Sequence, residues 1–409
     1  MSSHKLRAVK PLFWFFMGSL SAGFLPAGCA KAAPVLEKQT LFYLSYGKME
    51  DQLDAYHEEG RQSLFKDRLL MRDGLFYLSN SASSKIMIFN SYGDIINLYF
   101  NREVNPDPVL LRAASGGATR RLYEYPFRDL GEIALSPDKL LLADDRVAED
   151  RMEYDPQLGA MFNRIVLQFD GEGNFIDYLG QEGPGGTPFP YIDKLRVTGE
   201  KELVVFTKNP SGWKVFWFSP QGKPLYTAEI ANENLPVSSD RVRDYGFAVL
   251  ETLDSSLSSG RLYLKIDSYL DYDKIPNTDR RGIEFFSSQL WTLDAPEGRY
   301  LSGVEIPGYA VSDPQGTGGE AALVYEFIGT AKEDYCFFIC LAGGNRYNLM
   351  VMDALGRVLI RRDISLGEGK LMFKEFQVSS GGILSALIGW EDRAEVAWWR
   401  VDELGNWEG

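Results

Sequence analysis

The sequence predicts an all-β chain closed into a ring, a six-bladed β-propeller, with seven blades as the alternative. Three observations predict it. A hairpin that turns on a glycine recurs six times at uneven intervals. The last of these hairpins has no outgoing strand behind it, and an unclaimed apolar strand stands ahead of the first. Repeats of this kind each build one supersecondary unit, and uneven spacing fits blades joined by loops of different length better than a solenoid of fixed pitch.

The clearest hairpin runs Ile165-Val-Leu-Gln-Phe-Asp-Gly-Glu-Gly-Asn-Phe-Ile-Asp-Tyr-Leu-Gly180. Its first apolar arm closes on Asp170, the turn pivots on Gly173, and a second apolar arm leaves it. β-Branched and aromatic residues favour both arms, while Asp and Gly supply the turn conformations. Gly183-Pro-Gly-Gly186 and Phe189-Pro-Tyr-Ile192 then cross into the next strand. Over about one blade, this stretch resembles an NHL repeat, which implies a propeller unit.

The same unit recurs around Gly93, Gly222, Gly298, Gly356 and Gly405. Lys85-Ile-Met-Ile-Phe-Asn90, Lys214-Val-Phe-Trp-Phe218, Gln289-Leu-Trp-Thr-Leu-Asp294, Leu349-Met-Val-Met-Asp353 and Val396-Ala-Trp-Trp-Arg-Val-Asp402 are the incoming arms. The steps 93→173→222→298→356→405 measure 80, 49, 76, 58 and 49 residues. After Gly405 only Asn406-Trp-Glu-Gly409 follows, so the last blade lacks its outer strand. Thr40-Leu-Phe-Tyr-Leu-Ser45 is expected to fill that place, pairing an otherwise open edge and locking the ring.

Residues 1–28 read as a leader rather than as part of the fold. Lys5, Arg7 and Lys10 precede an apolar run that begins at Leu12 and ends in Leu25-Pro-Ala-Gly-Cys29. That run is too short and too broken by glycine to span a bilayer. Small residues before a cysteine resemble a bacterial lipobox, in its relaxed spirochaetal form because Pro26 departs from the strict pattern. The resemblance implies signal cleavage before Cys29 and acylation of its thiol, palmitate included, as the covalent lipid that holds the protein to a membrane. Residues 29–39 are then a tether and 40–409 the propeller.

From Cys29 onward the chain keeps 40 of the 43 Lys and Arg against 57 Asp and Glu, a net charge of −17. That acidity disfavours nucleic acid and anionic lipid as partners. Catalytic chemistry is poorly provided for, and no catalytic or metal residue is assigned. His57, in the polar stretch Tyr56-His-Glu-Glu-Gly60, is the one histidine beyond the leader and reads as a surface residue. Asp267-Ser-Tyr-Leu-Asp-Tyr-Asp273 lacks the spacing of an EF-hand. It reads as an acidic solvated loop, and so do Asp144-Asp145 with Glu149-Asp150. Cys336 and Cys340 lie about 13 Å apart along one strand, beyond the roughly 7 Å a disulfide spans, and read as buried free thiols on one face. Trp213, Trp217, Trp390, Trp398 and Trp399 read as packing between blades.

Four long polar excursions remain: Asn101 to Arg128, Ala148 to Phe162, Ala231 to Tyr245 and Asp267 to Gly282. All fall between the second and third strands of a blade or between blades, two loop classes that open on the same face of a propeller. They carry Arg120, Arg121, Tyr123, Tyr154, Tyr269 and Tyr272, a tyrosine–arginine set of the type that anchors interfaces. The ordinary reading of the same residues is tolerated surface insertion.

The chain as a whole resembles the propeller lipoproteins of spirochaetes. The expectation is a monomeric, non-catalytic binding or scaffolding module in a bacterial cell envelope, on the periplasmic face or the outer-membrane surface, with an envelope protein or glycan as partner. A lactonase-like hydrolase with a metal in the central channel is the alternative, marked by several carboxylates converging there.

Overall fold

Five of the six turn glycines adopt a conformation that L side chains avoid. Gly93, Gly173, Gly222, Gly298 and Gly356 have φ between +63° and +90°. Each turn is also tied by the side chain that precedes it. Asn90, Asp170, Ser219, Asp294 and Asp353 accept backbone N–H groups three or four residues on, at 2.8–3.2 Å. Local chemistry alone therefore sets five hairpins.

In a computed structural model the described residues are 34–55, 66–109, 120–311 and 321–405. The leader with Cys29, and His57, lie outside them. The hairpins build six antiparallel sheets. Blade 1 holds Arg68–Arg72, Leu75–Asn80, Lys85–Phe89 and Ile95–Phe100, from the inside out, with Arg121–Glu124 added parallel at its outer edge. Blade 2 holds Ile133–Leu135, Leu141–Arg146, Arg164–Phe169 and Phe175–Gly180, and blade 3 Tyr191–Val197, Leu203–Asn209, Gly212–Phe218 and Pro224–Ala231. Blade 4 holds Gly246–Ser255, Arg261–Asp271, Ile283–Asp294 and Arg299–Glu305. Blade 5 holds Glu326–Thr330, Cys336–Gly343, Arg346–Met352 and Val358–Ser365. Blade 6 holds Leu371–Val378, Leu384–Trp390 and Arg393–Trp399, and its outer place is taken by Gln39–Ser45. The ring has six blades, closed by its N-terminal strand as expected.

Apolar clusters fill the gaps between neighbouring blades, one to each gap and six in all. Both faces of a blade are thus covered, which is why middle strands such as Lys85–Phe89 are buried at every position. Such strands read as unbroken apolar runs rather than as alternation. Trp213, Trp217, Trp390 and Trp399 sit in these clusters, and Trp398 packs at the edge of one. Cys336 and Cys340 share the cluster between blades 4 and 5 as free thiols. Burial pushes Cys336 well above the ordinary thiol value and Cys340 up to about 11, so neither is reactive near neutral pH.

Residues 34–38, within the segment read as a tether, pack on the ring. Val35 bridges to Asp363 of blade 5, and Lys38 donates to Glu395 and to the Leu366 carbonyl, both at 2.6 Å.

Two acidic stretches differ from expectation. Asp144 and Asp145 are buried middle-strand residues rather than a solvated loop. Asp144 accepts Arg164 Nε at 2.7 Å, and Asp145 accepts the backbone N–H groups of Arg128 and Asp129. Asp267 is likewise buried on the strand Arg261–Asp271, where Lys265 Nζ donates to it at 2.6 Å. A guanidinium fork, an ammonium or backbone donors replace the water each carboxylate gives up.

Candidate functional site

The loops between second and third strands and those between blades define the upper face. A groove of about 420 Å³ opens there where blades 1, 2 and 3 meet. Tyr191 begins the innermost strand of blade 3 and Met161 stands on the second strand of a small hairpin of blade 2, and they are 49% and 44% exposed. Lys66 Nζ lies 3.8 Å from the centre of the Tyr191 ring and donates to the Ile192 carbonyl at 2.6 Å. Arg164 lines the floor, spending its guanidinium on Asp144 and on Asp129 at 2.7 Å each. Lys208 stands over the Trp213 ring at 4.9 Å on the far side.

Below the groove the six innermost strands leave one edge unpaired and surround a channel of about 400 Å³. A chain of charges divides the two spaces. Glu132 accepts Arg68 Nε at 2.6 Å and has Lys66 Nζ at 3.8 Å, while Arg68 reaches Glu375 of blade 6 at 3.6 Å. Burial raises the Glu132 carboxyl against the pull of Arg68 and Lys66. Glu375 lines the channel with 32% of its side chain exposed. Enclosure pushes it up to about 7 against the pull of Arg68. The Glu132 charge acts in the same direction as enclosure, while Lys194 and Lys374 oppose it.

Lower in the channel Arg196 donates to Asp254 and to the Thr330 carbonyl, and Asp254 also accepts the Thr330 N–H at 2.9 Å. Lys194 pairs with Asp254 at 3.8 Å and Lys374 with Glu326 at 3.9 Å, both beyond hydrogen-bond distance.

This donor set does not fit the channel metal of a lactonase-like hydrolase. Glu132 and Asp254 are already bound by arginine, and the cations between the carboxylates would repel a metal ion. Among the described residues, no group of three His, Cys, Asp or Glu side chains could hold one.

The tyrosine–arginine set is distributed over blades 1, 2 and 4. Arg121 and Tyr123 lie on the parallel strand at the outer edge of blade 1, with Arg120 just ahead of it. The Tyr123 ring packs on Tyr99 at 4.6 Å. Glu124 and Asp129, the nearby carboxylates, are occupied by Arg102 and Arg164. Tyr154 is 62% exposed on the blade 2 hairpin. Tyr269 stacks on Phe247 at 5.4 Å on blade 4, and Tyr272 is buried beside Val242 and Leu270 under the short helix Asp240–Tyr245. Sequence reasoning missed the channel residues. Their signal was a charged pair, Asp193-Lys194 in one strand and Lys374-Glu375 in another, each set among apolar residues.

No family model and no curated protein matches the chain. Among solved structures it is similar to hydrazine synthase of Kuenenia stuttgartiensis, at 10% identity over 81% of this chain and 80% of that one, with a TM-score of 0.39. It is also similar to regucalcin, a calcium-binding protein of Agrobacterium tumefaciens, at 10% identity over 89% and 95%, TM-score 0.38. Virginiamycin B lyase of Staphylococcus aureus is a third, at 10% identity over 88% and 99%, TM-score 0.38. At such identities and scores the likeness carries neither substrate nor activity to this chain.

Proposed function

We propose that this propeller is a non-catalytic binding module of a bacterial envelope, holding a protein or glycan partner on its upper face while a lipid on Cys29 keeps it at the membrane. The observation that carries the binding reading is the groove where blades 1, 2 and 3 meet. It offers a half-exposed tyrosine and methionine flanked by the Lys66 and Lys208 ammonium groups, on a protein of net charge −14. Aromatic and thioether surface supplies contact area, and the cations favour an acidic or hydroxyl-rich partner. The anchor rests on the charged leader, its apolar run and the Ala27-Gly28-Cys29 sequence.

Co-purification from detergent-solubilised membranes tests it. A Met161→Ala/Tyr191→Ala/Lys208→Ala variant is expected to lose the partner at unchanged thermal midpoint. An Arg120→Ala/Arg121→Ala/Tyr123→Ala variant reads the outer edge of blade 1 separately. Full recovery by the first variant, folded as the parent is, would remove the groove.

A further inference from the structure

The channel holds charges that closing the ring does not require. Lys194 of blade 3 and Lys374 of blade 6 come from opposite sides of the six-membered ring, and both line the cavity. Each is only about a quarter exposed, and the carboxylate paired with each stands beyond hydrogen-bond distance. The Lys374 ammonium rests over the Tyr347 and Phe376 rings at 5.3 and 5.5 Å, and Lys194 Nζ is 3.5 Å from the Leu253 carbonyl. Enclosed ammonium groups whose carboxylates stand beyond hydrogen-bond distance are costly unless a further anion joins them. Glu375, next to Lys374 on the same strand, lines this space and feels both ammonium charges.

We propose that the waist of the channel, between Lys194 and the Lys374-Glu375 pair, is a binding site for a small carboxylate anion of about the size of a six-carbon sugar acid. The anion's carboxylate bridges the two ammonium groups, and Glu375 in its protonated form donates a hydrogen bond to it. The unpaired edges of the innermost strands supply backbone N–H and C=O groups for hydroxyls. A cavity of about 400 Å³ admits such a molecule with water beside it.

The charges facing Glu375 set its proton. Arg68 of blade 1 and Glu132 of blade 2 lie on one side, with Lys66 above them. Asp193, Lys194 and Arg196 come from blade 3, with Asp254 of blade 4 behind them. Glu326 comes from blade 5 and Lys374 from blade 6. Near pH 7 the carboxyl is divided between its two forms. An incoming anion favours the protonated form, so binding takes up a proton. One proton taken up by a group titrating at about 7 makes affinity roughly tenfold weaker at pH 8 than at pH 6.

The probes are D-gluconate, trigalacturonate and the neutral D-glucitol, measured by titration calorimetry in bis-Tris and Tris buffers. D-Gluconate is expected to bind at least tenfold tighter than D-glucitol, with proton uptake near pH 7. Lys194→Ala and Lys374→Ala should each weaken it about tenfold, and Lys194→Arg and Lys374→Arg should restore most of it. Glu375→Gln should bind with no proton uptake and no pH dependence between 6 and 8. Tighter binding of trigalacturonate assigns the site to the end of an acidic glycan, and tighter binding of gluconate to a free acid. Equal affinity for gluconate and glucitol, or alanine variants that bind gluconate as the parent does, would overturn the proposal. Neither result touches the groove, which is read by partner recovery.

Discussion

Phe42 on the strand Gln39–Ser45 is the side chain by which the N-terminus closes the ring, and replacing it measures what closure is worth. The ring lies between blades 6 and 1, 5.8 Å from Phe76 and edge-on to it, and 5.2 Å from Phe89. It also sits against the first turn, since a Cβ on Gly93 would stand 2.6 Å from Phe42 Cβ. Truncating a buried phenylalanine to alanine costs about 3–5 kcal/mol, transfer and cavity together. Tyr43, one residue on, points the other way and is 53% exposed, with Arg393 over its ring at 4.5 Å. Its loss costs about 1 kcal/mol or less. Urea unfolding followed by tryptophan fluorescence should therefore separate Phe42→Ala from Tyr43→Ala by at least about 2 kcal/mol. Deleting Gln39–Tyr46 should cost more than either. Equal midpoints for the two point variants would show that this strand is not seated between the blades, and the closure argument would fall.

Two carboxyls respond to pH with opposite sign. Burial alone would raise Glu395, but Lys38 at 2.6 Å, Thr40 at 2.5 Å and Trp390 at 2.9 Å donate to it and hold it below its ordinary value. Its contribution is therefore complete above the ordinary glutamate value and lost on acidification. Glu395→Gln should cost about 2 kcal/mol at pH 7, with the gap closing below pH 4 in urea titrations. Glu375 is raised to about 7, so the parent loses stability as pH climbs from about 4.5 to 7, and Glu375→Gln should gain on it over that window. Gly173→Ala places a Cβ 2.1 Å from the Tyr123 ring at φ +90°, whereas Gly282→Ala, at φ +83°, meets nothing within 4 Å. Thermal melts should show the first costing clearly more than the second, which bears only the roughly 1–2 kcal/mol of left-handed strain. Cys29→Ser should move the protein from the membrane to the soluble fraction, and unchanged detergent partitioning of the variant would end the lipid-anchor reading.

Most of the ring was legible because its signals are local. A left-handed glycine held by the Asn, Asp or Ser before it needs no knowledge of the rest of the fold, and Gly93, Gly173, Gly222, Gly298 and Gly356 each make a third-to-fourth-strand turn. The place for Thr40 to Ser45 followed from counting arms. Asp144, Asp145 and Asp267 misled because an aspartate in a polar-looking stretch reads as solvated until its partner is known. The partner of Asp144 is Arg164, 20 residues away and one strand over. Lys265 is only two residues from Asp267, but a pair that close in sequence is ordinary on any exposed strand. The channel charges show in the sequence only as polar residues within partly apolar strands, and their place is set by partners remote in sequence. Nothing in Leu371-Met-Phe-Lys-Glu-Phe-Gln-Val378 says which strand of a blade it will be, and only an innermost position turns Lys374 and Glu375 toward an enclosed space.

Closure of a ring by apolar clusters between blades leaves two kinds of surface free to vary. The middle strands are covered on both faces over most of their length, so a polar change there meets a packed neighbour and costs stability. Among the described residues the innermost strands have one edge without a partner strand, and the groove opens among the upper loops. Both cavities lie on these surfaces, and Glu132 with Lys66 and Arg68 forms the wall between them. Such a wall is held by opposite charges rather than by packing, so it couples the two spaces. Replacing Glu132 by glutamine would remove the negative charge that Arg68 and Lys66 share, making groove and channel more positive at once. An anion in the channel and an acidic partner in the groove would both bind tighter to that variant, whereas a purely steric wall would leave both affinities where they were.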